Sequence, residues 1–255
     1  MSELNVLVPT RARPHAVPKI VEAWWHTGAF GVASLIFVVD RDDASYRDYM
    51  AAIRQHPEVM HIEMTEWQPM VPKLNYAAKM MCRTGMATAF MGDDHIPRTE
   101  MWANRLLGAC TLHGPTIAYG RDGIQDQRLP TWWAMSNHII GALDRMVPAD
   151  VQHLYCDNAV KVLGETAGCL KYLPDVLIEH MHPVAGKGQM DPQYARVNRK
   201  EQYERDRLAF EAHVVGELAY RAPEELVALL RPHAGERIGH AVDLGWATRL
   251  VGEPV

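Results

Sequence analysis

The sequence has few cysteines and no long apolar run, and both shortages limit what the protein can be. Only 4 of its 255 residues are cysteine, and they stand singly at positions 82, 110, 156 and 169. Because no C-x-x-C pair is present, we expect reduced, mostly buried thiols and a cytosolic setting. No apolar run approaches the roughly 18 residues that a membrane span needs. The N-terminus reads as a strand and not as a signal peptide, so we expect a cytoplasmic protein without a membrane span.

The sequence also lacks a strong excess of charge of either sign. The net charge is −5, with 22% charged and 48% hydrophobic residues. This balance is ordinary for a globular protein and gives no general attraction to nucleic acid or anionic membranes, although it does not exclude a local basic patch. There is no internal repeat and no low-complexity linker. The length allows one large domain, or one domain with a terminal extension.

The first third of the chain alternates between strand and helix patterns. Continuous apolar runs at residues 4–8 and 33–39 predict buried strands. Helical spacing follows each run, at residues 17–27 and 46–55, and a short edge strand is predicted at residues 61–64. This β-α-β-α-β order predicts a parallel, Rossmann-like sheet flanked by helices.

The turn after the first strand is cationic. It contains Arg11 and Arg13 directly before a helix, and the second strand is followed by Asp40. A strand, a cationic turn and a helix N-terminus together form a natural seat for an anion or a nucleotide. A later helix carries Lys73 and Asn75 in its first turn, where the helix dipole favours phosphate. The alternative to a phosphate contact is that the Lys73 side chain is simply solvated.

Residues 90–97 form the most informative stretch, F-M-G-D-D-H-I-P. A buried strand ends within it and puts Asp93, Asp94 and His95 at the carboxyl edge of the sheet, where open α/β sheets bind their ligands. Hard oxygen ligands beside one imidazole suit a divalent ion such as Mn²⁺ or Mg²⁺. The alternative is a polar turn in which Asp93 or Asp94 caps the next helix.

Two later segments carry further candidate functional groups. Asp157 lies at the start of a predicted helix, where it is either an N-cap or a general base. Residues 176–182 read as a strand, and the strand period of two puts His180 and His182 on one face as candidate contacts for a metal or a phosphate. Lys187 lies between two glycines, so we expect a mobile loop whose lysine closes on a diphosphate.

The remaining patterns predict helices and one further strand. Helical spacing marks residues 101–112 and 135–143, and a short strand is predicted at residues 117–120. Trp132 and Trp133 stand beside a polar loop. They are either packing residues or a stacking platform for a sugar or a base.

The pattern changes near residue 190. A long polar helix is predicted over residues 193–218, followed by a helix at residues 224–230 and a short final segment. Basic and acidic residues alternate in the long helix, which indicates a solvated face, with contact to a polyanionic acceptor as the alternative. We therefore divide the chain into a domain at residues 1–190 and a helical extension at residues 191–255 that packs on it.

Six short motifs, in this order along the chain, resemble those of GT-A-fold glycosyltransferases. They are V-P-T-R-A-R-P at 8–14, V-V-D at 38–40, P-K-L-N at 72–75, G-D-D-H-I-P at 92–97, Y-C-D-N at 155–158 and E-H-M-H-P at 179–183. The likeness is to the family 2-like enzymes of phage genomes and bacterial surface-glycan loci. It implies that residues 1–190 form a Rossmann-like GT-A domain with a mostly parallel central sheet.

The resemblance also implies a donor site and a metal site. The donor would be a nucleotide-diphosphate sugar, with a UDP-sugar favoured, held by Pro9, Thr10, Arg11, Arg13, Asp40, Lys73, Asn75, Asp93 and Lys187. A divalent ion, Mn²⁺ or Mg²⁺, would take its ligands from Asp93, Asp94, His95, His180 and His182. The usual D-x-D register places its first acid at Met91, which cannot ligate a hard cation. We therefore favour Asp93 and His95, supported by one of the two later histidines.

The activity implied is that of a metal-dependent, inverting glycosyltransferase. In such an enzyme Asp157 would deprotonate the acceptor hydroxyl. The acceptor stays open among a modified DNA base, a virion protein and a glycan, and the modest acidity of the chain argues against tight DNA binding. If the protein is phage-encoded, its setting is the host cytoplasm. The alternatives are a nucleotidylyltransferase, disfavoured because the first turn has no glycine, and a non-catalytic sugar- or nucleotide-binding protein on the same scaffold.

Overall fold

The computed structural model of the chain describes residues 3–112, 114–188 and 190–214. Within them the strands are β1 (Leu4–Pro9), β2 (Ala33–Asp40), β3 (Met60–Met64), β4 (Ala87–Phe90), β5 (His95–Pro97), β6 (Ile117–Arg121), β7 (Trp133–Ser136) and β8 (Leu170–His180). The α-helices are α1 (Ala16–His26), α2 (Tyr46–Arg54), α3 (Met70–Met81), α4 (Trp102–Thr111), α5 (Asn137–Leu143), α6 (Cys156–Thr166), α7 (Pro192–Val197) and α8 (Lys200–His213).

The eight described strands form one curled sheet in the order β3-β2-β1-β4-β7-β6-β8-β5. Strands β1 to β4 pair in parallel, as predicted for the first third of the chain. Strand β7 runs antiparallel to both of its neighbours, β6 and β8 pair in parallel, and β5 is the antiparallel edge partner of β8. The α/β, Rossmann-like architecture predicted from the sequence is confirmed.

Apolar side chains cover both faces of the sheet. In β1, Val6 and Val8 point into one core cluster and Leu7 into the other, because successive strand residues face opposite sides. Helices α1, α2 and α4 cover the first face, and α3, α5 and α6 cover the second. Burial on both faces explains why β1 and β2 appear in the sequence as continuous apolar runs.

The parallel register brings three polar turns to one edge of the sheet. Pro9 of β1 is paired with Val38 of β2, and Leu7 is paired with Phe90 of β4. The chain segments that follow these strands therefore leave the sheet side by side. This edge carries the first-turn residues, the acid at the end of β2 and the G-D-D-H sequence.

The sequence prediction is wrong in part for three strands, β7, β5 and β8. The helix predicted at residues 135–143 begins only at Asn137, because Trp133–Ser136 is the strand β7. The short strand β5 was not predicted either. Strand β8 begins at Leu170 instead of residue 176 and ends at His180, so His182 lies just beyond it.

The predicted long helix at residues 193–218 is also interrupted. In the described part it consists of α7 and α8, separated at Asn198 and Arg199. Phe210 of α8 is buried in the second core cluster. The end of that predicted helix and the helix predicted at residues 224–230 lie outside the described residues. Of the helices that are described, none combines the length and the apolar character needed to cross a membrane.

Candidate active site

A cleft of about 800 Å³ lies at this polar edge of the sheet. Its walls include the turn after β1, the G-D-D-H sequence, the start of α6 and the residues around the end of β8. Helices α7 and α8 supply another wall, with residues that include Tyr194, Arg196 and Tyr203. The described part of the C-terminal extension therefore contributes directly to the cleft.

Asp93 is held by the turn after β1. Its two carboxylate oxygens accept hydrogen bonds from the Thr10 hydroxyl at 2.7 Å and from Nη1 of Arg13 at 2.8 Å. The Tyr49 hydroxyl lies 2.7 Å from the Thr10 hydroxyl and accepts the backbone N–H of Arg13 at 2.7 Å. Burial raises the pKa of Asp93, against the opposing effect of Arg13. The arrangement fixes the first turn against the G-D-D-H sequence.

Asp94, His95 and His180 converge into a cluster that could hold a metal ion. Each offers one ligand atom, and these atoms lie within 4.8 Å of one another. Nδ1 of His95 is 3.3 Å from Oδ1 of Asp94, and Nε2 of His180 is 3.4 Å from Oδ2 of Asp94. Ligands that bind one ion at about 2.1 Å lie roughly 3 Å apart, so the three side chains need only small shifts to share a cation.

The donor set fits a cation, and Mn²⁺ better than Mg²⁺. His95 is buried, and its Nε2 has no hydrogen-bond partner among the described residues, while its Nδ1 accepts the Gly92 N–H at 3.0 Å. While Nδ1 accepts this hydrogen bond, the proton of the neutral ring is on Nε2, so the atom of His95 that would bind a cation shared with Asp94 is Nδ1, whose lone pair the cation would take over from the Gly92 N–H. Two imidazoles beside one carboxylate suit a transition ion, whereas Mg²⁺ prefers oxygen ligands throughout.

Asp122 supports His180 from the side opposite to Asp94. Its Oδ2 lies 3.8 Å from Nδ1 of His180, and its carboxylate accepts the Thr131 hydroxyl and the backbone N–H groups of residues 124–126. Burial opposes the charged imidazolium, but Asp122 and Asp94 outweigh it and raise the pKa of His180 to about 9. At this distance Asp122 acts on the ring through its charge, and a cation at Nε2 would have to displace the proton that the two carboxylates retain.

Asp40 is fully buried, is not among the described residues that line the cleft, and is the centre of an ion-pair group behind the turn after β1. Its Oδ2 accepts from Nζ of Lys73 at 2.7 Å and from Nη1 of Arg11 at 2.9 Å. Nζ of Lys73 also donates to the Thr10 carbonyl at 3.2 Å, and the Lys73 side chain is only 4% exposed. The solvated alternative for Lys73 is therefore wrong.

Asp157 lies in the first turn of α6 and faces the cleft. The N-cap position of α6 belongs to Tyr155, so Asp157 is not the cap residue. Its Oδ1 accepts the Asn158 N–H at 2.9 Å. Burial raises the pKa of the Asp157 carboxyl above its ordinary value. A carboxylate with a raised pKa beside a cleft is suited to accept a proton from a substrate.

Three candidate residues have other contacts. The Asn75 amide binds the backbone of Met146 and Val147, and Asn75 is not among the described residues that line the cleft. Lys187 is paired with Glu179 at 2.9 Å and is likewise not among those residues. His182 does line the cleft, and its Nε2 is 3.2 Å from the Tyr194 hydroxyl.

The structure adds three acidic residues that the sequence did not single out. Asp122 lies beside His180, and Asp191 is paired with Arg13. Asp206, fully buried in α8, accepts the backbone N–H groups of residues 152–154 and so fixes the loop before α6. Asp122 follows a predicted strand and precedes a glycine, and this pattern could have identified it as a candidate site residue. Asp206 lies in a helical pattern of alternating charges, which gives no sign of its burial. Asp191 directly precedes Pro192, and this order is typical of a helix N-cap but does not reveal the partner Arg13.

Compared by sequence, the chain matches no protein-family model and no curated protein. Solved structures match it by shape. A mannosyltransferase from Pyrobaculum calidifontis, in complex with GDP-Man and Mn²⁺, matches with a TM-score of 0.55 and 14% identity over 89% of this chain and 78% of that chain. S. aureus TarS with UDP-GlcNAc matches with a TM-score of 0.59 and 10% identity over 89% and 71%.

A third match is glucosyl-3-phosphoglycerate synthase from Mycobacterium tuberculosis, in complex with Mn²⁺, UDP and phosphoglyceric acid. It has a TM-score of 0.57 and 11% identity, over 84% of this chain and 79% of that chain. At such identities the likeness concerns the fold alone. All three neighbours are GT-A glycosyltransferases, and this chain has their Rossmann-like fold.

Proposed function

We propose that the protein is a metal-dependent glycosyltransferase that moves a sugar from a nucleotide-diphosphate sugar to an acceptor hydroxyl. The observation that carries this proposal is one cleft that contains both the Asp94–His95–His180 cluster and the Asp157 carboxylate. A cation site and a candidate base at the carboxyl edge of a Rossmann-like sheet are what sugar transfer from such a donor needs. The nucleotide sugars bound by the structural neighbours support the donor class.

The donor's nucleoside would lie at the end of the cleft formed by Pro9, Thr10 and Arg11. The pair of Lys73 and Asp40 directly behind this turn keeps it in place, since Lys73 also binds the Thr10 carbonyl. The diphosphate would then reach toward Asp94 and His95. A divalent cation bound there, best Mn²⁺, would neutralise the two phosphates and the leaving nucleoside diphosphate.

Asp157 would act as the general base. It removes the proton from the acceptor hydroxyl while the acceptor oxygen forms its bond to the anomeric carbon. The bond from that carbon to the phosphate oxygen breaks, and the nucleoside diphosphate leaves with the electron pair. Attack from the side opposite the leaving group inverts the anomeric carbon. Burial favours the protonated carboxyl that this step produces.

The proposal leaves the class of the acceptor open. A glycan, a virion protein or a modified DNA base each offers the hydroxyl that the reaction requires. None of the four cysteines, all of which lie within the described residues, forms a disulfide, in keeping with a cytoplasmic setting.

A thermal unfolding panel tests the proposal. UDP, GDP, UDP-glucose, UDP-GlcNAc and GDP-mannose are each added with and without Mn²⁺. A ligand at 100 times its Kd adds about 2.7 kcal/mol of stability, which raises the melting temperature measurably. We expect one nucleoside diphosphate and its sugars to stabilise the protein only with Mn²⁺, and Asp94→Asn to abolish that dependence. Stabilisation by none of the five would contradict the proposed donor class.

A further inference from the structure

Helix α7 contacts three separate walls of the cleft. Asp191, which caps the helix by accepting the Tyr194 N–H at 2.6 Å, is paired with Arg13 in the turn after β1. The Tyr194 hydroxyl is 3.2 Å from Nε2 of His182 beyond β8, and the guanidinium of Arg196 lies 5.2 Å from the ring centroid of Trp67. Residues 191–197, here called the strap, therefore bridge the cleft.

The contact between Arg13 and Asp191 is bidentate. Nε of Arg13 donates to Oδ2 of Asp191 at 2.6 Å, and Nη2 donates to Oδ1 at 3.0 Å. The remaining nitrogen, Nη1, donates to Asp93. The two side chains are 15% and 29% exposed. A parallel pair of charge-assisted hydrogen bonds in such a partly buried position is among the stronger and more directional polar contacts.

We propose that Asp191 is a positioning residue whose ion pair with Arg13 docks the strap across the cleft and thereby encloses the nucleotide part of the donor. One guanidinium joins the strap to the acid of the G-D-D-H sequence, so docking of the strap and placement of Asp93 depend on the same side chain. The enclosing role rests on the proposed function. The docking of the strap by Asp191 does not.

The carboxylate of Asp191 has two roles that substitution can separate. Asparagine caps a helix about as well as aspartate, so Asp191→Asn keeps the cap and removes the charge. Asp191→Glu keeps the charge but is a poor cap. If Asp191 matters only as a cap, Asp191→Asn keeps the hydrogen exchange of the strap and the Kd of the nucleotide at their wild-type values, and Asp191→Glu does not. If the ion pair with Arg13 docks the strap, both quantities stay closer to wild type in Asp191→Glu than in Asp191→Asn.

Hydrogen exchange of the nucleotide-free protein tests the docking. The amides of Ala195 and Asn198 are hydrogen-bonded to the carbonyls of Asp191 and Tyr194, so they report on the strap. We expect Asp191→Asn to speed their exchange about tenfold, the scale of one lost ion pair in a local opening. Glu204→Gln, which removes an exposed partner of Arg207 in α8, should leave them unchanged. Unchanged exchange in Asp191→Asn would overturn the docking role.

Binding of UDP and GDP with Mn²⁺ tests the enclosing role. We expect Asp191→Asn to raise the Kd of the diphosphate that binds by about tenfold, through faster dissociation. The affinity for Mn²⁺ alone should stay within about twofold, because Asp191 does not touch the metal cluster. An unchanged dissociation rate would overturn the enclosing role. Failure of both nucleotides to bind the wild-type protein would overturn it too, together with the proposed function, while hydrogen exchange still decides on docking.

Discussion

The imidazole rings of His95 and His180 lie face to face, with centroids 4.2 Å apart and planes inclined by 20°. The two residues are also register partners in the antiparallel pairing of β5 with β8. Backbone pairing alone thus brings both imidazoles to one place, and the neighbouring Asp94 adds a carboxylate. The spacing of the two imidazoles is set by strand pairing, and Asp94 lies in the turn directly before β5.

His180 should contribute far more to metal affinity than His182. His180 belongs to the cluster with Asp94, whereas His182 is engaged with Tyr194. We expect His180→Ala to weaken Mn²⁺ binding by at least about tenfold, and His182→Ala by less than about threefold. Titration of free Mn²⁺ by electron paramagnetic resonance measures both. Equal losses in the two variants would contradict the assignment of the ligand to His180 in preference to His182.

A methyl group at Gly92 should damage the metal cluster selectively. A Cβ there would lie 2.6 Å from Nδ1 of His95 and 2.7 Å from Oδ1 of Asp94, which is too close for either atom to stay. We expect Gly92→Ala to lower Mn²⁺ affinity about tenfold or more while the protein still unfolds cooperatively. Gly141→Ala is the matched control, since its Cβ would meet nothing within 4 Å. Normal Mn²⁺ binding by Gly92→Ala would contradict the proposed ligand set.

Loss of the Asp157 carboxylate should slow turnover without weakening donor binding. We expect Asp157→Asn to lower kcat by roughly 10²–10⁴-fold, the scale of a general base, with little change in the Kd of the donor. Asp150→Asn, which changes an exposed carboxylate, should leave kcat unaltered. Weaker donor binding in a folded Asp157→Asn variant would instead assign the residue to the donor site.

The pH profile of kcat supplies an independent check on Asp157. Burial raises its pKa above the ordinary aspartate value, and only the ionised form can accept a proton. Activity should therefore fall as the pH falls through this raised pKa, at a higher pH than an exposed aspartate would give. In Asp157→Asn the residual activity should lack this acidic limb.

Lys73 should be important for stability in spite of its charge. Lys73→Met leaves the buried Asp40 with Arg11 as its remaining cationic partner, and breaking one side of a buried ion pair costs about 3 kcal/mol. Lys79→Met is the matched control in the same helix, because Lys79 is 53% exposed. Its cost should stay within about 0.5 kcal/mol. Urea denaturation of both variants measures the difference, and equal midpoints would contradict it.

Local patterns in the sequence were enough to predict the parallel half of the sheet. Strands β1, β2 and β4 are buried on both faces, and the continuous apolar runs of their sequences predict this burial. Strand β7 was missed because Trp133–Ser136 is short and is followed at once by helix α5, so the helical spacing ran on into it. Its identity as a strand depends on pairing with β4 and β6, which no local pattern contains.

The candidate site was predictable in composition but not in its pairings. The acids and histidines of residues 92–95 and 179–183 were visible as motifs. Asp93 is paired with Arg13, whereas its neighbour Asp94 is grouped with His180. This difference depends on the directions of the side chains. The burial of Lys73 likewise depends on Asp40, which belongs to a different strand. Charge partners far apart in the chain are the information that a single sequence does not show.

The order of the strands in the sheet determines when the Asp94–His95–His180 cluster can assemble during synthesis. Strand β1 leaves the ribosome early, but one of its two partners, β4, follows only after β2 and β3. Strand β5, which carries His95, pairs later still, because its partner β8 is the last of the described strands to be synthesised. A nascent chain therefore carries Asp94 and His95 without His180 until residue 180 has been added. The proposed cation site therefore forms only once β8 has paired, so a cation bound there would stabilise the folded sheet and would not act as a nucleus for its folding.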